Sequence, residues 1–481
     1  MTRHPEGHAS ACPGRAEARP SVFDFAQHDR YRCEMKIRPF VFTFAVAIFA
    51  TPLIAQQTPQ SLAESELPSL LTIYKDLHTH PELSTHEERS AGIVAKELRT
   101  VGCEVTENFG KYDKPNVKCY GVIGLMKNGS GPTVLVRTDL DALPVEEQTG
   151  LPYASKVVTK NDEGKDVHVM HACGHDVHMA IFIGVAQALA KLKDQWHGTI
   201  VFVGQPAEEA VGGAKALLQD GLYTKFPKPN FALGFHDNAQ MQTGHIGVTE
   251  GYTYACVDSV NITVRGVGGH GAYPHKTKDP IVISAEIINA LQTIASRENN
   301  PVDPIVVTVG SIHGGTKHNI IPDDVKMQLT VRTYKADVRQ HVLAAIDRIT
   351  KGIAMAAGVP PDRAPIVEVM KDQTTPATYN NPELTKRLVA AWKKSLGAEN
   401  VEAPAATMGG EDFSEYSLPD HSIPAVDFHV GAVDPGKIAE SKKTDNPLPS
   451  LHSSKFAPVP EPTIKLGVVT MTDAVIELMK K

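Results

Sequence analysis

The sequence has few of the features that mark a specialised class of protein. Only six of its 481 residues are cysteines, and Cys12 and Cys33 precede an apolar segment near the N-terminus. The cysteines that follow this segment are Cys103, Cys119, Cys173 and Cys256. They are too few for a disulfide framework in a chain of this length. Cys103 and Cys119 flank a predicted hairpin, so they either form a disulfide in an oxidising compartment or stay unpaired in the core.

Clusters of basic residues are also missing. The formal net charge is -7, and no stretch interleaves lysine or arginine with aromatic residues. This argues against a nucleic-acid surface and favours a small molecule as the partner. With 42% hydrophobic and 21% charged residues, the composition is that of a globular protein, and no internal repeat interrupts it.

A run long enough to cross a bilayer is absent as well. Residues 40–50 are apolar and follow Lys36 and Arg38, a pattern typical of a short secretory signal. We predict that Met35 is the true start, that residues 35–55 form a signal peptide and that residues 1–34 are a non-native upstream extension. The expectation is a periplasmic or secreted protein without stable membrane insertion after cleavage. The alternative is an uncleaved N-terminal anchor.

Predicted strands and helices alternate in the first half of the chain. Apolar, β-branched runs predict strands at residues 117–126, 133–137, 199–204 and 231–235. Helical spacing predicts helices at residues 62–77 and 179–192, and the tract from Thr85 to Glu88 resembles a capping box that opens a further helix. The pattern indicates an α/β fold with a mixed, mostly parallel sheet flanked by helices.

The pattern changes at about residue 255. Strands at 260–264, 305–312, 325–331 and 366–370 and helices at 280–297 and 337–356 follow in the order βαββαβ. This order is typical of a ferredoxin-like domain. We therefore predict an inserted domain at residues 255–370, between catalytic parts at residues 60–254 and 371–481. The last part begins with a helix at residues 382–396 and ends with one from about residue 462.

Residues 171–178 hold the densest group of metal-binding side chains. Their sequence is His-Ala-Cys-Gly-His-Asp-Val-His, which combines a thiol, a carboxylate and three imidazoles. Such donors are costly to bury unless a cation pairs with them. The alternative is a set of solvated loop histidines beside a buried cysteine.

Further polar groups each follow a predicted strand. They are Asp139, Asp141, the pair Glu208 and Glu209, and His236. Because functional sites of open α/β sheets lie at the carboxyl ends of the strands, we expect these groups to converge.

The converging groups suit a hydrolytic pair of cations. Two divalent ions about 3.5 to 4 Å apart need anionic ligands. Cys173 and Glu209 supply the negative charge, with His175, His236 and His452 as neutral donors. His178 and His245 are not expected to bind the ions directly. The thiolate favours Zn and the carboxylates suit Mn.

The neighbouring carboxylate, Glu208, is the predicted general base. The alternative is that Glu208 and Glu209 are merely solvated.

Six motifs in order resemble the amidohydrolase branch of the dinuclear metallopeptidases. They lie at residues 139–144, 171–178, 205–209, 268–274, 319–322 and 410–413. This branch includes hippurate hydrolases, indole-acetyl-amino-acid hydrolases and N-acyl-L-amino-acid amidohydrolases. The resemblance covers about residues 65–478 and implies two divalent ions, Zn or Mn, with Co or Ni as substitutes in vitro.

The resemblance also assigns roles. It implies the same metal ligands and base, with Asp141 orienting a ligand imidazole. In such proteins the inserted domain forms a homodimer and carries a histidine into the active site, a role that His270 fits. Asn319, Arg332 and Gly410 are the expected substrate-binding positions. Arg332 suits a carboxylate of the substrate, because an arginine can bind both carboxylate oxygens. The alternatives are an exposed loop histidine at His270 and a surface ion pair at Arg332.

We therefore expect an exported, metal-dependent enzyme that cleaves N-acyl amino acids to a carboxylate and an amino acid. One alternative is a metallo-dipeptidase or carboxypeptidase that acts on short peptides with the same centre. Another is a non-catalytic binding protein with a structural metal, which ordinarily has four closed ligands. The polar tract Asp237-Asn238, where many proteins of this branch have apolar residues, is expected to alter the acyl pocket.

Overall fold

The computed structural model describes residues 57–480. The predicted signal peptide, its cleavage site and the upstream extension lie outside these residues. The helices of the described part are α1 (Pro59–Thr79), α2 (Glu88–Thr100), α3 (His175–Lys191), α4 (Gly213–Gln219), α5 (Leu222–Lys225), α6 (Pro280–Thr293), α7 (Ala336–Ala356), α8 (Pro382–Leu396), α9 (Pro435–Thr444) and α10 (Pro460–Met479).

The strands of the described part are β1 (Glu104–Phe109), β2 (Gly121–Asn128), β3 (Thr133–Asp139), β4 (Val158–Lys160), β5 (Asp166–His168), β6 (Gly198–Gln205), β7 (Phe231–Gln242), β8 (Ile246–Gly247), β9 (Gly251–Tyr254), β10 (Cys256–Arg265), β11 (Gly269–His270), β12 (Ile305–Gly314), β13 (Ile320–Ile321), β14 (Asp324–Thr333), β15 (Ile366–Thr375), β16 (Thr378–Asn380), β17 (Val401–Glu402) and β18 (Ala425–Val433).

An eight-stranded sheet forms the larger part of the fold. Its order is β1-β2-β6-β3-β7-β18-β8-β17. The central strands β6, β3, β7 and β18 run parallel, whereas β1 and β2 are antiparallel additions at one edge. The predicted mixed, mostly parallel sheet is confirmed. Its four central strands all end at the same edge.

Helices cover both faces of this sheet. On β3, Val134 and Val136 pack into one core with α1, α3 and α10, whereas Leu135 packs into a second core with α4. Alternate side chains of a strand point to opposite faces, so β3 contributes to both cores. This explains why residues 134–136 of this strand are all apolar.

A four-stranded antiparallel sheet forms the smaller part. Its order is β12-β14-β10-β15, and α6 and α7 share one core with it. The elements follow in the expected order βαββαβ. The predicted domain boundaries, at residues 60–254, 255–370 and 371–481, stay a prediction.

The predicted capping box is wrong. Thr85 has a φ of 69° and does not cap α2, which begins at Glu88 without a side-chain cap from its own N-cap residue. Instead, the carboxylate of Glu82 accepts the N–H groups of Arg89 at 2.9 Å and Ser90 at 2.8 Å. A nearby loop carboxylate therefore replaces the local cap.

Two further details differ from the sequence prediction. Helix α3 begins at His175 rather than near Met179, so the metal-binding tract includes its first turn. His236 lies within β7 rather than after it, because β7 continues alongside β18 with His236 opposite His429.

Cys103 and Cys119 are both buried free thiols. Among residues 57–480, no helix is long and apolar enough to span a membrane.

Close packing of α3 generates a stability prediction. A Cβ atom at Gly184 would lie 2.5 Å from Val468 and 2.8 Å from Leu70, whereas one at Gly92 in α2 would meet nothing within 4 Å. We expect Gly184→Ala to lower the free energy of unfolding by about 1–3 kcal/mol, because the helices must move apart. Gly92→Ala should instead raise it by about 0.5–1 kcal/mol, since alanine favours the helix. Urea unfolding measures both, and equal effects would contradict the packing argument.

Candidate metal centre

The candidate centre lies at the carboxyl edge of the large sheet. The ends of β3 and β6 are level there, with Asp139 paired to Gln205. The residues before α3 approach the same edge, and the N–H of His452 donates to the carbonyl of Ala172 at 2.8 Å. This bond fixes a residue near the end of the chain beside the tract 171–178.

The five predicted metal ligands lie together. The Sγ of Cys173 is 3.4 Å from Nε2 of His236 and 3.3 Å from Nε2 of His452. Glu209 lies 3.5 Å from His452 and 3.9 Å from His175, measured between carboxylate oxygen and Nε2. Cys173 therefore belongs to two overlapping donor groups, one with His175 and His236 and one with Glu209 and His452.

The orientation of these donors fits cations. The Nδ1–H of His175 donates to the carbonyl of Asp141 at 2.8 Å, and that of His236 donates to the carbonyl of Asp237 at 2.7 Å. Each ring therefore turns its Nε2 toward the cluster. His175 Nε2 and Glu209 Oε1 are buried without a hydrogen-bond partner, which is costly unless a cation occupies the space between them. The thiol, imidazole and carboxylate set suits a pair of divalent ions.

Burial and crowding of charge favour protons at these donors. Burial, together with the carboxylates of Glu209 and Glu208, raises the pKa of Cys173 well above its ordinary value. Burial opposes charge on His175, but Asp139 and Asp141 outweigh it and raise the pKa of that imidazole to about 9. His236 also has a pKa of about 9, because Asp237 outweighs the effect of burial. Cations that bind here must therefore displace protons.

Asp141 holds both a predicted ligand and the loop beside it. Its carboxylate accepts the N–H of Glu208 at 3.2 Å, the N–H of Glu209 at 3.0 Å and the hydroxyl of Ser84 at 2.6 Å. Its carbonyl accepts from His175. This residue therefore orients the imidazole and the backbone of the adjacent glutamates together.

Glu208 lies at the border between the donor cluster and a cavity. Its Oε2 is 3.9 Å from Nε2 of His175. Burial and the nearby carboxylates of Glu411 and Glu209 raise the pKa of Glu208 well above its ordinary value, as a proton acceptor near neutral pH requires. The cavity has a volume of about 760 Å³, which is enough for a small organic substrate.

Arg332 and Gly410 line this cavity, as predicted for substrate-binding residues. Arg332 extends from β14 of the smaller sheet, and its Nε donates to Thr330 Oγ1 at 3.0 Å. A Cβ atom at Gly410 would lie 2.3 Å from Val257 and 3.1 Å from the guanidinium of Arg332. The glycine therefore allows the loop to approach the arginine.

His270 and Asn319 do not reach the cavity of their own chain. His270 is exposed on β11, and its Nδ1 accepts the N–H of Ala272 at 3.0 Å. The carbonyl of Asn319 accepts the N–H of Gly271, so both residues lie on the same exposed projection of the smaller sheet. Within a single chain, the structure does not bring them to the candidate centre.

The two histidines that are not expected to bind the ions directly have other partners. His178 Nδ1 donates to Asp139 at 2.8 Å, and its Nε2 accepts the N–H of Asp237 at 2.9 Å. Both of its ring nitrogens are therefore used. His245 Nδ1 lies 2.7 Å from a carboxylate oxygen of Glu402.

A buried ion-pair network near the centre was not predicted from the sequence. Arg137 is fully buried on β3 and contacts Asp139 at 2.8 Å, Glu411 at 2.8 Å and Asp412 at 3.2 Å. Asp139 in turn holds His178. An arginine within an apolar strand was the available signal, because a buried guanidinium needs carboxylate partners.

The chain is similar in sequence to proteins of known family and activity. The profile described as peptidase family M20/M25/M40 matches residues 135–447. The chain is 36% identical over 403 residues to thermostable carboxypeptidase 1 of Saccharolobus solfataricus, which spans 83% of this chain and 93% of that protein. It is 36% identical over 343 residues to the hippurate hydrolase of Campylobacter jejuni, spanning 71% and 83% respectively.

A solved structure agrees with these relatives. The Bacillus subtilis YXEP protein, a dinuclear metal binding peptidase, matches with a TM-score of 0.68 at 28% sequence identity. The match covers 86% of this chain and 99% of that one.

The raised pKa values generate a prediction for metal binding. Because the pKa values of His175 and His236 are about 9 without cations, both hold protons at pH 7 that binding must release. We expect the apparent affinity for Zn²⁺ to rise with pH between 6 and 8, by roughly tenfold per pH unit for each proton released. Titration calorimetry in buffers of different ionisation enthalpy counts these protons. His341→Gln, an exposed and distant change, should leave the slope intact, whereas a flat profile in the unchanged protein would contradict the argument.

Proposed function

The chain belongs to peptidase family M20/M25/M40, and we propose that it hydrolyses the amide bond of N-acyl amino acids. The observation that carries this proposal is the convergence of Cys173, His175, Glu209, His236 and His452 beside the carboxyl group of Glu208. The products are a carboxylate and an amino acid. The hippurate hydrolase of Campylobacter jejuni supports this substrate class through its similarity.

The metal ions and Glu208 have different proposed roles in the reaction. A pair of divalent ions supplies Lewis-acid activation of the scissile carbonyl and of water. Glu208 takes a proton from the attacking water and passes it to the leaving nitrogen. We propose Zn or Mn as the native ions, because the donor set combines a thiolate with carboxylate and imidazole.

Arg332 is the proposed receptor for the carboxylate of the substrate. Burial lowers the pKa of its guanidinium, and no carboxylate among residues 57–480 forms an ion pair with it. A half-buried cation that lines a cavity without an anionic partner suits a substrate carboxylate. A free α-carboxylate distinguishes N-acyl amino acids from simple amides.

A carboxypeptidase is the second candidate function. Such an enzyme also needs a receptor for a free carboxylate, and the similarity to thermostable carboxypeptidase 1 supports it. We further propose that the protein is exported, on the basis of the signal-like residues 35–55.

A substrate panel tests the proposal. N-acetyl, N-benzoyl and indole-acetyl amino acids should be hydrolysed with Zn, Mn or Co present, and free dipeptides much more slowly. The reverse order would favour the peptidase. Glu208→Gln should lower kcat by at least about 100-fold, since the proton acceptor is lost, while metal analysis shows an unchanged content. Retained turnover in this variant would place the base elsewhere, and no turnover by the unchanged protein on any compound would remove the proposal.

We also propose that the protein is a homodimer in which His270 and Asn319 complete the partner's site. Exposed apolar side chains surround this projection, namely Tyr273, Ile281, Ile312 and Ile320. Strand β12 is an edge strand of the smaller sheet, so its free backbone groups are available to a second copy. The proposed role of His270 is to donate a hydrogen bond to the scissile carbonyl oxygen.

Mixing two inactive variants tests this arrangement. His270→Ala and Glu208→Gln, unfolded and refolded together, should recover about a quarter of wild-type activity, because half of the dimers then hold one intact site. Mixing His270→Ala with Asn319→Ala is the matched control and should recover none, because both changes lie on the same projection. Activity that stays at background in the first mixture would contradict the shared site.

A further inference from the structure

Two buried carboxylates hold the loop that carries Glu208 and Glu209. Asp141 accepts the N–H groups of these two residues, at 3.2 and 3.0 Å. Glu87, which directly precedes α2, accepts the N–H of the residue before them, Ala207, at 2.8 Å. Three consecutive backbone amides therefore donate to carboxylate oxygens. Asp141 belongs to a recognised motif of this sequence, whereas Glu87 does not.

The loop has strained backbone that needs such support. Ala207 has a φ of 50° and Val211 a φ of 55°, in the left-handed region that side chains with a Cβ disfavour. The loop closes where the N–H groups of Gly212 and Gly213 donate to the carbonyl of Ala207, at 3.3 and 3.2 Å. If the Ala207 N–H lost its acceptor, ordinary conformations would compete and displace Glu208 and Glu209.

Glu87 is placed for this contact rather than for its own helix. Glu82 already accepts the first N–H groups of α2. The Oε1 of Glu87 accepts the N–H of Thr85 at 2.7 Å as well as that of Ala207, and Thr85 has a φ of 69°. A single oxygen of the buried Glu87 side chain therefore accepts hydrogen bonds from two residues with left-handed backbone, Thr85 and Ala207. These two residues lie 122 positions apart in the sequence.

We infer that Glu87 is a positioning residue for the reaction. It holds Ala207 in its left-handed conformation and so fixes the carboxylates of Glu208 and Glu209 at the centre. The hydrogen bonds that its side chain accepts within residues 57–480 come from Thr85 and Ala207, neither of which is a predicted metal ligand. This inference rests on the proposed role of Glu208 as the base.

Two replacements of Glu87 distinguish the effect of losing the hydrogen-bond acceptor from the effect of changing the side chain. Glu87→Gln keeps a carbonyl oxygen in place. It also removes a negative charge that the site disfavours, because burial and the charge of Asp141 raise the pKa of Glu87 to about 8. Glu87→Leu keeps similar volume but removes the acceptor. Glu88→Leu, at the exposed neighbouring position, is the matched control.

Two measurements read the effect. Hydrogen exchange of the amides of residues 207–213 should accelerate by about tenfold or more in Glu87→Leu and stay within about threefold in Glu87→Gln and in the control. On the best substrate of the panel, Glu87→Leu should lower kcat by about 100-fold with KM within about threefold, because displacement of a reacting group by about 1 Å is that costly. Glu87→Gln should retain most of kcat.

The outcomes are decisive in either direction. Unchanged exchange and kcat in Glu87→Leu would overturn the inference, as would faster exchange throughout the protein, which indicates general destabilisation. If Glu87→Leu does not fold, Glu87→Asp replaces it, because it withdraws the carboxyl by one methylene and should give the same local pattern. If the unchanged protein hydrolyses nothing on the panel, the proposed function fails, while the exchange data still decide whether Glu87 holds the loop.

Discussion

The carboxyl edge of the large sheet buries more negative charge than its neighbouring basic side chain can balance. Among residues 57–480, the buried acidic side chains there include Glu87, Asp139, Asp141, Glu208, Asp237, Glu411, Asp412 and Asp427, and Glu209 is half-buried. Arg137 is a buried guanidinium in contact with Asp139, Glu411 and Asp412. Buried charges are costly without compensation, so protons or cations must supply the remainder. Metal binding and the stability of this edge therefore depend on the same residues.

The fold places this charge where a substrate can reach it. Parallel strands end together, so loops after β3 and β6 bring Asp141 and Glu208 next to the first turn of α3. The smaller sheet adds Arg332 to the lining of the cavity. The two sheets thus contribute different chemistry, with anionic donors from one and a cation from the other. A substrate with an amide and a free carboxylate matches this division of charge.

Much of this arrangement could be predicted from the sequence. The order of strands and helices follows from apolar periodicity, and the donor set follows from residue types that have few other uses when buried. The absence of a helix cap at Thr85 could not be predicted, because Thr85 has a φ of 69° and binds Glu87, whose Oε1 also accepts the N–H of the distant Ala207. The partners of Arg137 were missed for the same reason, since they lie 274 and 275 positions away at Glu411 and Asp412. The exposed position of His270 depends on tertiary placement that periodicity does not encode.

The donors of this centre lie on both sides of the smaller sheet in the sequence. Cys173 and His175 precede much of the smaller sheet, whereas His452 follows it and is fixed to the early tract by its bond to Ala172. During synthesis, the ribosome must therefore release the chain through His452 before the last imidazole can join the others. A nascent or truncated chain that ends before residue 452 would fold with an incomplete set of metal-binding side chains.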